Sequence, residues 1–219
     1  MLENHSYAEI VGNRDAPFLN AAAKRDGLAA NYRAITHPSE PNYLALVAGS
    51  TFGVTSDDVT HVHARSLADQ VRVRSYMQND GSSTYALKHD PFAVLGRRSE
   101  DWSRFARDPL AQFTLVVPDL VHDMHSGSVA AGDAFTRAAV AAIERRDRHA
   151  LIFITFDEGT DADNHVLTLV IGGRNVVSHR RYDHYALLHT IEDYLGVPCL
   201  ARACAAPVMR DLSSAVSSR

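Results

Sequence analysis

The sequence predicts an α/β fold, a three-layer sandwich of helices around a mostly parallel central sheet. Apolar runs that read as strands alternate with segments of helical periodicity, the order expected when helices cover both faces of a sheet. ALIFITF (150–156) and VLTLVIGG (166–173) are continuously apolar, as strands buried on both faces are. Loops following the predicted strands are rich in Asp, Glu, His and Asn, at the strand ends where such sheets collect their chemistry.

Taken in order, APFLNAAAKRDG (16–27) reads as a helix ended by Gly27, and LAANYRAIT (28–36) as a strand. PNYLALVAG (41–49) reads as a helix with Pro41 in its first turn, where a missing N–H costs nothing. QFTLVVP (112–118) is a short strand closed by proline. AGDAFTRAAVAAIERR (131–146) has apolar spacing near 3.6 residues, and HYALLHTIEDYLG (184–196) is a second amphipathic helix. The stretch 52–108 is polar and less regular and is expected to cover the active face. With no repeat and no low-complexity linker, residues 1–219 are expected to form one domain.

A net charge of −4 gives no electrostatic case for nucleic acid or an anionic membrane. No apolar run approaches the roughly 20 residues of a membrane span, so stable membrane insertion is not expected. Cys199 and Cys204 are too few for a metal knuckle; they form either a local disulfide or two thiols in a C-terminal turn.

Five loops converge by this reading. They carry Glu3, Asn4 and His5; His37, Ser39 and Asn42; Asp119, His122, Asp123 and His125; Asp157 and Glu158; and Asp183 and His184. Oxygen ligands mixed with imidazole suit a divalent metal ion, whose identity the residues leave open. Ser39 at the mouth of a helix has two readings. It caps the helix, or it is a nucleophile favoured by the helix dipole and a neighbouring metal.

ENHSYAEIVGN, THPSEPNYLALVAGS, YALKHDPF, VVPDLVHDMHSG, ITFDEG and YDHYALLHTIEDYLGVP, in this order, resemble the bacterial phosphoesterase family of acid phosphatases and phospholipases C, within the alkaline-phosphatase superfamily. The resemblance implies an alkaline-phosphatase-like sandwich and a metal-dependent phosphoric ester hydrolase acting on a small phosphorylated substrate through a phosphoserine. It lays Ser39 on the nucleophile, with Glu3, Asn4, Ser39, Asp157 and Glu158 as the metal set. Asn42, His37, His89 and Asp123 fall at substrate-binding positions, and His125 and His184 bind phosphate oxygens or protonate the leaving group. Asp119 or Asp123 with His125 and His184 is an alternative second metal set. A phospholipase C-type diesterase and a non-catalytic phosphate- or metal-binding relative are the competing readings.

The resemblance also implies a buried strand of the type V-V-V-V-x-E-N before Glu3-Asn4. The chain is therefore expected to be N-terminally truncated relative to the family. A longer form would be secreted or bound for the cell envelope, and the protein cytoplasmic if Met1 is its natural start.

Overall fold

The structure, a computed structural model, describes residues 1–58 and 61–213. Among the described residues, seven strands form two sheets. β1 (Gly27–Ala29), β5 (Ile152–Thr155), β6 (Thr168–Ile171) and β7 (Val177–Ser178) lie in the order β5-β6-β1-β7. β2 (Val73–Met77), β3 (Glu100–Asp101) and β4 (Phe113–Val117) lie in the order β3-β2-β4. Three of the five ladders, β1–β7, β2–β3 and β2–β4, are parallel, so the mixed α/β architecture is parallel-rich as predicted.

Three expectations change. The strand predicted over 28–36 is only three residues long, and beyond Ala29 single bridges at Tyr32 and Arg33 replace the ladder. β6 is fully buried as its composition demands, yet it pairs antiparallel with both β5 and β1. Apolar content reports burial and is blind to strand direction. The irregular stretch 52–108 contains β2, whose register with β4 runs from Val73–Phe113 to Met77–Val117.

The helices make the outer layers. α2 (Pro17–Arg25) and α5 (Val129–Arg146) pack together, as do α3 (Ser39–Ala48) and α6 (His184–Leu195). Short helices α1 (Tyr7–Ile10) and α4 (Pro91–Val94) flank the loops. Their starts follow from local chemistry: Asp183 Oδ1 accepts from the Ala186 amide at 2.9 Å, and Ser128 Oγ from the Ala131 amide at 3.2 Å. The Asp133 carboxylate on α5 accepts from the amides of Phe18 and Leu19, satisfying the first turn of α2 from outside it. All ten residues of α3 are buried. It ends at Gly49, where φ is 72° and an added Cβ would lie 2.2 Å from the Leu200 carbonyl oxygen. The segment meeting Gly49 is held by a Cys199–Cys204 disulfide, which resolves the open choice for this pair.

The two sheets face each other across the start of the chain. The Met1 amino group donates to the Val116 carbonyl of β4 at 2.8 Å, and the Leu2 amide to the Thr155 carbonyl of β5 at 2.9 Å. The Leu2 carbonyl accepts from the Asp157 amide at 2.9 Å. Residues 1–3 thus run parallel to β5 and deliver Glu3 to the end of both sheets.

Glu192, on α6, is fully buried, and burial pushes its carboxyl pKa up to about 7, with only the backbone near Leu200 opposing the shift. Folding therefore favours its protonated form, and this contribution is lost as pH rises from the unfolded value near 4.5 through about 7. We predict that Glu192→Gln flattens the stability-versus-pH curve in that window and raises stability at pH 8 by up to about 3 kcal/mol. Chemical denaturation at pH 5 and pH 8 checks this; an unchanged pH difference in the variant counts against it.

Candidate active site

Ser39 is the first residue of α3, and Pro38, joined to His37 by a cis peptide bond, is the residue before it. The Ser39 hydroxyl caps no backbone amide. It points instead at two carboxylates, 3.3 Å from Glu3 Oε2 and 3.3 Å from Glu158 Oε1. The helix-cap alternative for Ser39 is therefore not adopted.

Glu3 is the hub. It is wholly buried, accepts from the Tyr43 hydroxyl, and lies 3.1 Å from His89 Nε2. The other nitrogen of His89 lies 3.5 Å from Asp123 Oδ2, and the ring stacks on Tyr43 at 5.4 Å. Ligand atoms of Glu3, His89 and Asp123 all fall within 4.8 Å of one another, close enough to share a cation. His89 and Asp123, expected at substrate-binding positions, thus sit against Glu3 on the buried side.

Asp157 and Glu158 enter from the loop after β5. Asp157 is buried, and its Oδ1 accepts from the amide of Asn4 at 3.1 Å. Asn4 adopts a left-handed backbone (φ 50°), which its residue type tolerates. Glu158 Oε2 pairs with Nδ1 of exposed His37 at 2.5 Å.

Crowding of acids sets the electrostatics. Burial, then the Glu3 charge, drives the Asp157 pKa well above the carboxylate range. Asp123 and Glu158 are also raised, chiefly by burial. Glu3 alone is lowered: His89 and hydrogen bonds outweigh its desolvation. His89 is raised to about 9, because the charges of Glu3 and Asp123 exceed the cost of burying the imidazolium. Asp123 Oδ2 and Asp157 Oδ2 are buried and accept no hydrogen bond. Buried carboxylate oxygens beside other acids that accept no hydrogen bond are what a bound cation would satisfy.

Asn42 and His184 are both engaged within the protein. Asn42 is completely buried and saturated within the protein. Its Oδ1 accepts from the amides of Ile35 and Thr36, and its Nδ2 donates to the carbonyls of Thr36 and Pro38 at 2.8 and 3.0 Å. With no donor to spare, it braces the 35–38 loop that carries His37 and presents Ser39. His184 is also fully buried. Its Nε2 lies 2.7 Å from the Asp157 carbonyl, which can only accept, so that nitrogen carries the proton. Nδ1 then accepts from the Tyr32 hydroxyl at 2.9 Å. Burial lowers the His184 pKa, and the ring holds the Asp157 backbone. Of the alternative second metal set, Asp119 is engaged by Asn79, Thr84 and His122.

His125 lies exposed at the rim, its ring 6.0 Å from that of His89 and its amide on Asp123 Oδ1. Three neighbours escaped sequence reasoning. Tyr43 lies four residues after Ser39, hence on the same helical face, and that spacing was the available signal. Lys88 precedes His89 and pairs with Asp57 at 2.7 Å, while Asp57 also accepts from the Glu40 amide at 3.0 Å. Asp57 lies in an irregular loop with no sequence pattern to mark it.

A model described as the Phosphoesterase family matches residues 83–198, more than half of the chain. The chain belongs to this family. It is 32% identical to a phosphatidylinositol-3-phosphatase of Mycobacterium tuberculosis, over 96% of this chain and 80% of that one. It is 25% identical to an acid phosphatase of Aspergillus fumigatus, over 92% of this chain and 55% of that longer protein, so it spans little more than half of the fungal relative. Among solved structures, an alkaline-phosphatase-superfamily protein from Vibrio parahaemolyticus superposes with a TM-score of 0.65 at 12% identity, covering 95% of this chain and 69% of that one. At that identity the match speaks for the fold, as predicted. Family membership and the named relatives make the chain a phosphoesterase hydrolase. Among the described residues no helix is long and apolar enough to cross a membrane.

Asn42→Ala removes four hydrogen bonds from the 35–38 loop of this phosphoesterase. We predict a loss of about 2–4 kcal/mol in stability and a fall in kcat that exceeds any rise in KM. Denaturation and steady-state kinetics on an aryl phosphate check this; a pure KM effect at unchanged stability would restore Asn42 as a phosphate contact.

Proposed function

We propose that the chain is a metal-dependent phosphomonoesterase that works through a phosphoseryl intermediate on Ser39. One observation carries the reading: a buried serine hydroxyl, at the positive end of a helix, aimed at two carboxylates and at no backbone amide. The named relatives, a phosphatidylinositol-3-phosphatase and an acid phosphatase, are in keeping with a phosphorylated substrate.

The residues present fit a divalent ion. Asp123 Oδ2 and Asp157 Oδ2 accept no hydrogen bond and supply acceptors, and burial together with the neighbouring carboxylates raises the pKa values of Asp157 and Glu158, a shift that a bound cation would oppose. Glu3, Asn4, Asp157 and Glu158 would hold it beside Ser39, with His89 and Asp123 closing the buried side. When bound, the ion lowers the serine pKa and neutralises phosphoryl charge. Ser39 Oγ attacks phosphorus in line with the departing ester oxygen, passing its proton to Glu158 or Glu3. The phosphorus–ester bond breaks, and His125 at the rim protonates the leaving oxygen. Water then attacks the phosphoserine, releasing phosphate and returning the proton to Ser39. His37, paired with Glu158 and exposed, orients that carboxylate and faces the incoming phosphate. Chemistry of this kind depends on positioning and charge neutralisation, which the five loops supply.

The test compares an aryl phosphate, a phosphodiester and phosphatidylcholine, with chelator, with metal add-back, and on Ser39→Ala. Chelator should abolish monoester hydrolysis and metal restore it. Ser39→Ala should lose at least about 10³-fold in kcat with its thermal stability retained. Full activity in Ser39→Ala refutes the phosphoserine, selective loss of diester or lipid hydrolysis points to a phospholipase C, and no hydrolysis of any substrate points to a binding protein.

A further inference from the structure

Asp57 and Lys88 lie beside the start of α3 and take no part in the reaction as written above. Asp57 sits in the irregular loop after α3, and Lys88 in the short turn Leu87–His89 that packs against α3. The side chains are only partly exposed, 29% for Asp57 and 23% for Lys88.

α3 begins without a cap of its own. Pro38, the residue before it, has no side-chain acceptor, and the Ser39 hydroxyl is turned to Glu3 and Glu158. Asn42, one turn in, spends its oxygen on the amides of Ile35 and Thr36. The Glu40 amide therefore takes its acceptor from outside the helix, Asp57 Oδ1 at 3.0 Å. A carboxylate at this end has the sign the helix dipole favours. It has the wrong sign for an entering phosphate, which meets the same end, where Glu3 and Glu158 already crowd Ser39. Lys88 resolves the conflict. Its Nζ donates to Asp57 Oδ2 at 2.7 Å, so one carboxylate oxygen holds the helix and the other meets a cation.

These contacts close a ring. Ser39 Oγ lies 3.3 Å from Glu3, and Glu3 lies 3.1 Å from His89. Lys88 is the chain neighbour of His89, and Asp57 links Lys88 back to Glu40, the chain neighbour of Ser39. The first turn of α3 and the Glu3 carboxylate are thereby tied to one another from both sides. We propose that Asp57 and Lys88 are a positioning pair for Ser39: Asp57 holds the first turn of α3 in its aim, and Lys88 cancels the Asp57 charge so that the helix end still admits phosphate. The role rests on the reading of Ser39 as the nucleophile. An ion pair this close to solvent adds little to stability, so its loss is felt in phosphate handling and not in unfolding.

The test uses the full chain with a divalent ion supplied, and the variants Lys88→Met, Asp57→Asn, Asp57→Ala and the double Lys88→Met/Asp57→Asn. Calorimetry reads the binding of inorganic phosphate, steady-state kinetics the hydrolysis of an aryl phosphate, and thermal melting the stability. Lys88→Met leaves the Asp57 charge uncancelled. It should weaken phosphate binding about tenfold or more, raise KM more than it lowers kcat, and move Tm by less than about 3 °C. Asp57→Asn keeps an acceptor for the Glu40 amide and removes the charge, so it should bind phosphate at least as tightly as the parent. The double variant should recover to within about threefold of the parent. Asp57→Ala removes the acceptor too, and its kcat should fall about tenfold or more below that of Asp57→Asn. Unchanged phosphate affinity in Lys88→Met would overturn the proposal. So would a double variant as weak as Lys88→Met, which would make Lys88 a direct phosphate contact, or equal kcat in Asp57→Ala and Asp57→Asn. Full activity in Ser39→Ala is a different failure, that of the phosphoserine, and phosphate affinity, which needs no turnover, tells the two apart.

Discussion

The structure turns on keeping acids together. Glu3, Asp123, Asp157 and Glu158 are all buried and come from three separate loops onto the end of the sheets, around one serine hydroxyl. Two carboxylates within about 5 Å repel by roughly 3 kcal/mol at the effective permittivity of a protein. The chain offsets this repulsion with His89, wedged between Glu3 and Asp123, with the Tyr43 hydroxyl, and with protons retained on Asp157. These partners relieve the crowding without removing it, and Asp123 Oδ2 and Asp157 Oδ2 still accept no hydrogen bond.

Much of the remaining structure serves to hold these acids in place. The strand-like start of the chain is locked between Val116 and Thr155, so Glu3 cannot retreat from the cluster. His184 fixes the Asp157 backbone from below, and Asn42 ties four backbone groups of the loop carrying His37. The fully buried α3 seats Ser39, and its far end is sealed where Gly49 meets the disulfide loop. Asn42 and His184, which position the site, are buried, whereas His37 and His125 face solvent.

Sequence patterns revealed the α/β sandwich, the helices predicted over 41–49, 131–146 and 184–196, and the approach of Glu3 and Glu158 to Ser39, because burial and strand ends leave periodic and compositional traces. Strand direction left none, so the antiparallel β6 was read as parallel. A motif match supplied Asn42 and His184 as substrate contacts. Whether a polar side chain is already satisfied by its neighbours depends on which backbone groups the fold brings to it, and residue type alone does not carry that information. The same limit hid Asp57, which reaches the mouth of α3 from an irregular loop.

The central claim, that this cluster is a cation site held partly protonated until the ion arrives, is tested most directly by calorimetric titration of the metal-free protein with a divalent ion in two buffers of different ionisation enthalpy at pH 7. Asp157, His89 and their neighbours then compete with the ion for the same carboxylate oxygens. The account predicts saturable binding with release of about one proton or more, seen as a buffer-dependent heat that Asp157→Asn diminishes. Binding with no buffer dependence, or no binding at all, would contradict it.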